Sequence, residues 1–294
     1  MGKICVCGAP SSGKKCDYCG KRIGKDKGYH HTETSYTINE TSADGQQQYD
    51  PSTATLNHSG SAMLKKSKIY ILISVYIVGI VILPILLMPV VVIIRGYTLE
   101  YFQEEGLYNM LPLINFMAYG ILCGVMILLT YKIFKQDFLR VDSWGNLFKQ
   151  MGLGVVCTFG AALLGSSIVG WLGTTDVALN QELVVSALSA MPVAMIITVV
   201  LFAPIVEEII FRLVLMNLFN LPPIFNVILS SLIFGLIHVL AGGLIHIIPY
   251  FLMGLVFGYF YLKNDNIWHV TILHTIHNGL TVVFVFLMQR MYYV

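Results

Sequence analysis

The stretch from Pro204 to Arg212, which reads PIVEEIIFR, places three charged side chains inside a long apolar segment. The chain reads AMPVAMIITVVLFA before it and LVLMNLF after it. A charged side chain at the centre of a bilayer costs roughly 2.5–3.5 kcal/mol on insertion scales. The two glutamates and the arginine therefore need partners, water or a function that explains their position.

The composition indicates a polytopic membrane protein. Of 294 residues, 56% are hydrophobic and 12% are charged, whereas soluble domains carry about 25% charged residues. Membrane lipid is therefore an expected partner. The formal net charge of +2 is too small to indicate nucleic-acid binding.

Seven apolar segments are long enough to be membrane-spanning helices, since a span needs about 20 residues. A shorter segment around 177–189 leaves the predicted count at seven or eight. Pro84, Pro89 and Pro204 are predicted to kink their helices, as spanning helices tolerate. We therefore expect an all-α polytopic transmembrane bundle with spans at about 69–94, 111–131, 152–172, 190–219, 224–241, 244–262 and 268–289.

Two further features concern helix packing. The segment 133–151 is predicted to be an amphipathic helix that lies on the membrane surface. Ala162, Ser166 and Gly170 form a stripe of small residues, which predicts close approach of another helix.

The distribution of Lys and Arg predicts the orientation. Three lysines precede the first span, and basic residues follow the second span, while the segment 173–189 has none. Because basic loops stay in the cytoplasm, we expect a cytoplasmic N-terminus. The expected location is the plasma membrane of a bacterium.

The N-terminal region is polar and contains four of the six cysteines, in the pattern C-x-C-G-x7-C-x2-C-G. In a reducing cytoplasm such pairs indicate metal binding rather than disulfides. We predict a zinc-ribbon-like knuckle over 1–24, a disordered linker over 25–64 and a transmembrane domain over 65–294. The knuckle could recruit a cytoplasmic partner; the alternative is four free thiols in a disordered tail. The predicted ligands of a structural Zn²⁺ are Cys5, Cys7, Cys16 and Cys19.

Helical spacing groups the polar residues of the spans. Glu208 and Arg212 are four residues apart and can form an ion pair on one helix face. Glu207 points about 100° away, which leaves its carboxylate free to face another helix. Two later spans offer polar partners: FGLIH carries Phe234 and His238, and HTIHN carries His274 and Asn278.

These three segments, EEIIFR, FGLIH and HTIHN, resemble in order the motifs EExxxR, FxxxH and HxxxN of the type II CAAX prenyl protease family. This family is also called the CPBP or Abi family of intramembrane endopeptidases. The resemblance covers roughly residues 150–290, which is the predicted protease core, and no motif position departs from the pattern.

The resemblance implies peptide-bond hydrolysis without a covalent intermediate, and it implies roles for seven residues. Glu207 would be the general base for a water that His238 helps to hold, and His274 and Asn278 would stabilise the oxyanion. Glu208, Arg212 and Phe234 would support the site, and a role for His277 stays open. A catalytic metal is not expected. The alternative is Zn²⁺ at Glu207, Glu208, His238 and His274.

Two other functions remain possible from the sequence. A membrane scaffold or regulator, such as a bacteriocin-immunity or cell-envelope partner, would keep the fold without catalysis. A transporter would place polar residues through the depth of the membrane, whereas here they are clustered. The peptide or protein substrate is open, and it includes prenylated CaaX tails and leader peptides.

Overall fold

The computed structural model describes residues 3–4, 10–11, 64–96, 107–141, 143–174, 176–219, 221–240 and 242–292. The chain divides into two units, Met1–Thr55 and Leu56–Val294. In the first unit, β1 (Lys3–Ile4) pairs with β2 (Pro10–Ser11) in an antiparallel ladder. The four cysteines of the predicted zinc knuckle and residues 25–63 of the predicted linker lie outside the described residues.

The second unit is a helical bundle, as predicted. Six of the helices in the described residues are long and apolar enough to cross a membrane, and Pro223–His238 is a shorter apolar helix. The chain is therefore an integral membrane protein. The helices are α1 (Lys66–Arg95), α2 (Leu107–Leu139), α3 (Trp144–Trp171), α4 (Leu179–Ala190), α5 (Pro192–Leu218), α6 (Pro223–His238), α7 (Leu244–Asn264, beginning with a 3-10 turn) and α8 (Ile267–Tyr292).

The contacts give the directions of α3 and α8. Gly154 lies against Leu273, and one turn later Thr158 contacts His277, so that α3 and α8 run parallel. By contrast, Asn278 contacts Val199 at the beginning of α5, and α5 and α8 are antiparallel.

The shorter helix α6 runs in the direction opposite to that of α7. Gly254 lies against Ser231 and Gly258 against Val227, so α6 and α7 are antiparallel. These relative helix directions are consistent with a chain that crosses the membrane seven times, with α6 as one of the crossings. The predicted eighth segment is α4, whose 12 residues span only about 18 Å and are too few to cross a bilayer.

Pro84 and Pro204 are each preceded by a π-helical turn, at Val78–Ile82 and at Thr198–Phe202. Proline has no N–H and its ring clashes with the carbonyl four residues earlier. A wider turn relieves this clash, so irregular turns accompany two of the three predicted prolines. Pro89 instead lies inside the α-helical segment Leu83–Arg95. A third π-helical turn, Ile209–Leu215, contains Arg212.

The predicted surface helix at 133–151 is wrong. The helix α2 continues to Leu139, with Ile133 and Phe134 buried, and α3 begins at Trp144 after a turn. A polar residue in this segment forms a hydrogen bond with a neighbouring helix instead of facing the membrane surface. The buried Asp137 accepts a hydrogen bond of 2.9 Å from the backbone N–H of Ile267 and thereby caps α8.

The predicted packing stripe on α3 is also wrong, because the close approaches occur on another face. A Cβ on Gly165 would lie 2.4 Å from Cα of Pro249 on α7, whereas one on Gly170 would meet nothing within 4 Å. Ala162 and Ser166 line a cavity. Of the two cysteines in the described helices, Cys123 is buried and Cys157 is exposed.

Candidate active site

Glu208 and Arg212 form a fully buried ion pair. Arg212 Nε donates to Glu208 Oε2 over 3.0 Å, and both side chains are 0% exposed. Arg212 Nη1 also donates to Ser230 Oγ at 2.9 Å, and Ser230 Oγ donates to the Phe211 carbonyl at 2.5 Å. A buried charge requires this kind of pairing. The pair therefore carries no net charge into the membrane interior.

The second carboxylate oxygen of Glu208 is also occupied. His274 Nδ1 lies 2.7 Å from Glu208 Oε1. Since a carboxylate paired with arginine accepts hydrogen bonds, Nδ1 of His274 carries a proton and donates it. Glu208 therefore joins α5 to α8, and both of its oxygens are engaged.

Glu207 faces two imidazoles. Its Oε2 lies 3.9 Å from His238 Nε2 and 3.8 Å from His274 Nε2. These distances are longer than direct hydrogen bonds, and they leave room for a water that contacts all three atoms. The structure thus brings Glu207 on α5, His238 on α6 and His274 on α8 together around one point.

The proton on His238 can be assigned from its other contact. His238 Nδ1 lies 2.7 Å from the carbonyl oxygen of Phe234. A carbonyl only accepts, so Nδ1 is the donor and a neutral His238 presents the lone pair of Nε2 to Glu207.

Aromatic rings hold both imidazoles in place. Phe234 lies 4.4 Å from the His238 ring, as its spacing in the sequence predicts, and Tyr250 stacks on the other side at 4.5 Å. Phe257 stacks on His274 at 4.5 Å. Tyr250 and Phe257 were not found from the sequence. Their positions seven residues apart on α7 look like those of ordinary packing residues.

Asn278 is oriented by the irregular turn before Pro204. The N–H of Ala203 donates to the carbonyl of Thr198, and Pro204 has no N–H. The carbonyl of Val199 is therefore left for a donor from outside the helix, and Asn278 Nδ2 donates to it at 2.9 Å. One amide hydrogen of Asn278 is used in this contact, and the second is available.

A cavity of about 790 Å³ connects these groups. Its wall combines side chains from α1 to α8 and is mainly apolar. Glu208 and Arg212 lie behind this wall, while Phe234 and the four predicted catalytic residues reach it, together with His277. The polar lining residues include Tyr119, Asn180, Glu207, His238, Tyr250, His274, His277 and Asn278.

Among the described residues, no three His, Cys, Asp or Glu side chains are placed to hold one metal ion. The alternative zinc site named four residues, of which Glu208 already uses both oxygens for Arg212 and His274. His246 lies away from this group and contacts the carbonyls of Asp176 and Gly243 at 2.9 and 3.2 Å.

Comparison with known proteins supports a membrane peptidase. Residues 189–280 match the family described as type II CAAX prenyl endopeptidase Rce1-like, and this region contains all seven predicted site residues. The candidate membrane peptidase YdiL of Bacillus subtilis (strain 168) is 26% identical over 188 residues, which are 62% of this chain and 72% of YdiL. No solved structure matches the chain. The predicted family resemblance and the predicted enzyme class, a peptidase, are confirmed.

Proposed function

From the match of residues 189–280 to the Rce1-like family, we propose that this membrane peptidase hydrolyses a peptide bond with a water held by Glu207 and His238, next to His274. The observation that carries the proposal is the placement of Glu207 Oε2, 3.9 and 3.8 Å from the two Nε2 atoms. Glu208 is neutralised by Arg212, so Glu207 is the carboxylate that can act as a base.

The first step needs a proton acceptor and an oriented water. Glu207 takes a proton from the water, and the unprotonated Nε2 of His238 accepts the water's second hydrogen bond, which aims the lone pair of the water oxygen at the substrate carbonyl. When the C–N bond of the resulting intermediate breaks, Glu207 passes this proton to the leaving nitrogen. The contact between His238 Nδ1 and the Phe234 carbonyl keeps this tautomer. The rings of Phe234 and Tyr250 limit movement of the imidazole.

The tetrahedral intermediate needs hydrogen-bond donors at its oxyanion. We assign this role to the second amide hydrogen of Asn278 and to Nε2–H of His274. Donation from His274 Nε2 requires a doubly protonated ring, because Nδ1 already donates to Glu208.

The substrate is proposed to be a membrane-associated protein or peptide, because the reacting groups line a cavity enclosed by spanning helices. Both prenylated CaaX tails and leader peptides fit this description. The hydrolysis is proposed to be metal-independent, and a structural Zn²⁺ is proposed at Cys5, Cys7, Cys16 and Cys19, where it could create a surface for a cytoplasmic partner.

Replacement of the base tests the mechanism. We expect Glu207→Gln and, separately, His238→Ala to reduce kcat at least about 100-fold, the usual contribution of a general base. The assay uses the full chain in lipid nanodiscs with a library of internally quenched apolar peptides, and mass spectrometry locates the cleaved bond. Glu182→Gln is the matched control, since Glu182 is exposed on α4 and does not line the cavity.

The two outcomes that contradict the proposal are distinct. Cleavage at the wild-type rate by both variants would remove Glu207 and His238 from the mechanism. Lack of any cleavage by the wild-type chain across the library, with folded protein and bound peptide, would favour the scaffold or regulator.

We propose that the chain lies in the plasma membrane of a bacterium. Its N-terminus is proposed to lie in the cytoplasm, because Lys65, Lys66 and Lys68 flank the start of α1. A fluorescent protein that folds only in the cytoplasm is expected to fluoresce at the N-terminus. Alkaline phosphatase, active only outside the cytoplasm, is expected to be active after Gly173. The reverse pattern would invert the topology.

A further inference from the structure

A peptide that enters this cavity loses the water that bound its backbone. Each buried N–H group then needs an acceptor, since an unpaired one costs several kcal/mol in a membrane interior. The two acceptors at the reacting centre, the Glu207 carboxylate and Nε2 of His238, are assigned to the hydrolytic water. A peptide chain that extends away from the cleaved bond therefore needs an acceptor elsewhere on the wall.

His277 has a free acceptor that follows from its hydrogen bonds. Thr158 Oγ1 donates its one hydrogen to the carbonyl of Val155 at 3.0 Å. His277 Nδ1 lies 3.0 Å from the same oxygen. Since that hydroxyl has no second hydrogen to give, it must accept from Nδ1–H of His277. A neutral His277 therefore keeps an unprotonated Nε2.

The position of His277 suits a substrate contact. It lies one turn from His274 on α8, and its ring is held by Phe159 at 4.6 Å and by the edge of Phe257 at 6.2 Å. From His277 the cavity continues along one face of α3. The lining residues of that face are Phe159, Ala162, Leu163 and Ser166.

We propose that His277 is a substrate-binding residue whose Nε2 accepts a hydrogen bond from a backbone N–H of an extended peptide. Thr158 is the positioning residue that fixes the proton on Nδ1. This inference rests on the proposed peptidase function. The ligand class is therefore a peptide with a free backbone N–H beside the cleaved bond, bound along the α3 wall.

The experiment measures binding separately from cleavage. A fluorescein-labelled apolar peptide is titrated onto the full chain in nanodiscs, carrying Glu207→Gln so that no peptide is cut, and anisotropy gives Kd. We expect His277→Phe, which keeps the ring packing, to raise Kd roughly 3- to 10-fold, the effect of one neutral hydrogen bond. Thr158→Val is expected to raise it less, because part of the His277 population keeps the correct tautomer.

A spectroscopic readout distinguishes positioning from packing. Nitrogen NMR of histidine-labelled protein is expected to show His277 protonated at Nδ1 in the wild type and as a mixture of tautomers in Thr158→Val. Thr158→Ser keeps the hydroxyl and is expected to restore both the tautomer and Kd. Thr130→Val is the matched control: Thr130 is also buried and donates to the carbonyl of Met126 at 2.6 Å, but it does not line the cavity.

Unchanged peptide binding in a folded His277→Phe variant would overturn the inference, as would a proton on Nε2 in the wild type. These results are independent of cleavage. If the peptide binds through His277 and the wild-type chain cleaves nothing, the proposed function fails while this binding site stands.

Discussion

At the scale of single residues, the site depends on how one buried arginine is satisfied. Arg212 uses Nε for Glu208 and Nη1 for Ser230, while Nη2 has no hydrogen-bond partner among the described residues. The guanidinium also lies over the rings of Phe234 and Phe257, at 5.6 and 5.9 Å from their centroids. The Arg212 guanidinium therefore already has one unpaired nitrogen, and a substitution that removes a further hydrogen-bond partner would leave a second one unpaired.

Ser230→Ala is expected to lower the free energy of unfolding by about 1–3 kcal/mol, because it leaves Nη1 of Arg212 unpaired in the interior. It should also lower kcat, since Arg212 holds Glu208 and Glu208 holds His274. Thermal unfolding in detergent and peptide cleavage measure the two effects.

The neighbouring Ser231→Ala is the matched control for this change. Ser231 is also buried, but its Oγ donates only to the carbonyl of Val227 in its own helix, at 2.7 Å. Equal losses from the two variants would mean that Ser230 contributes only packing.

At the scale of helices, the sequence could predict contacts within one helix but not those between helices. Glu208 with Arg212 and Phe234 with His238 are pairs at i, i+4, and helical geometry alone places them together. Ser230, Phe257 and Thr158 lie on other helices than their partners. No spacing in the sequence gives the relative rotation of two helices, so the contacts of these residues could be found only from the structure.

The contact between Asn278 and Val199 could be predicted only in part from the sequence. The position of Pro204 predicted an irregular helix, and the motif predicted that Asn278 is in the site. The link between them depends on which carbonyl the π-helical turn leaves open and on the depth of α8 beside α5. Neither quantity can be derived from periodicity.

The packing of α3 on α7 gives a prediction at this scale. Gly165→Ala is expected to lower the thermal unfolding temperature strongly and to reduce cleavage. The new Cβ would lie 2.4 Å from Cα of Pro249, and a backbone atom cannot move aside as a flexible side chain can. On the same helix, a Cβ on Gly160 would meet nothing within 4 Å.

Gly160→Ala is therefore the control, and it should leave the unfolding temperature equal or slightly higher. If Gly165→Ala behaved like it, the close approach of α3 and α7 would not be needed for folding.

At the scale of the whole molecule, composition and hydropathy were sufficient to predict a helical membrane protein. In the described part of the chain, six of the predicted spans are helices long enough to cross a membrane, and α6 is shorter. The segment 133–151 was predicted incorrectly because polar residues that cap a neighbouring helix, such as Asp137, resemble those of a surface helix. The chain divides into two units, and the two proposed sites fall in different ones. The predicted zinc knuckle belongs to the first unit, Met1–Thr55, and the proposed site to the second.

We expect the purified chain to contain one equivalent of zinc, bound through thiolates. The double variant Cys16→Ser, Cys19→Ser should lose it, whereas Cys157→Ser should retain it, because Cys157 lies on α3. Elemental analysis by mass spectrometry measures the metal. Removal of zinc by a chelator should leave peptide cleavage unchanged, since the proposed mechanism activates the water at Glu207 without a metal.

Loss of cleavage on chelation would contradict this expectation. If it also occurred in the double cysteine variant, the zinc that matters would be at the alternative site around Glu207.

The shortness of α6 has a consequence for the surrounding lipid. Its 16 residues extend roughly 24 Å, less than the roughly 30 Å of a hydrocarbon core. Its outer stripe, Ile224, Ile228, Leu232 and Leu236, is exposed and must match acyl chains along that length. This mismatch favours local thinning of the bilayer beside α6. Since α6 ends at His238, the thinned zone would shorten the distance between that imidazole and bulk solvent, and turnover would then depend on acyl-chain length.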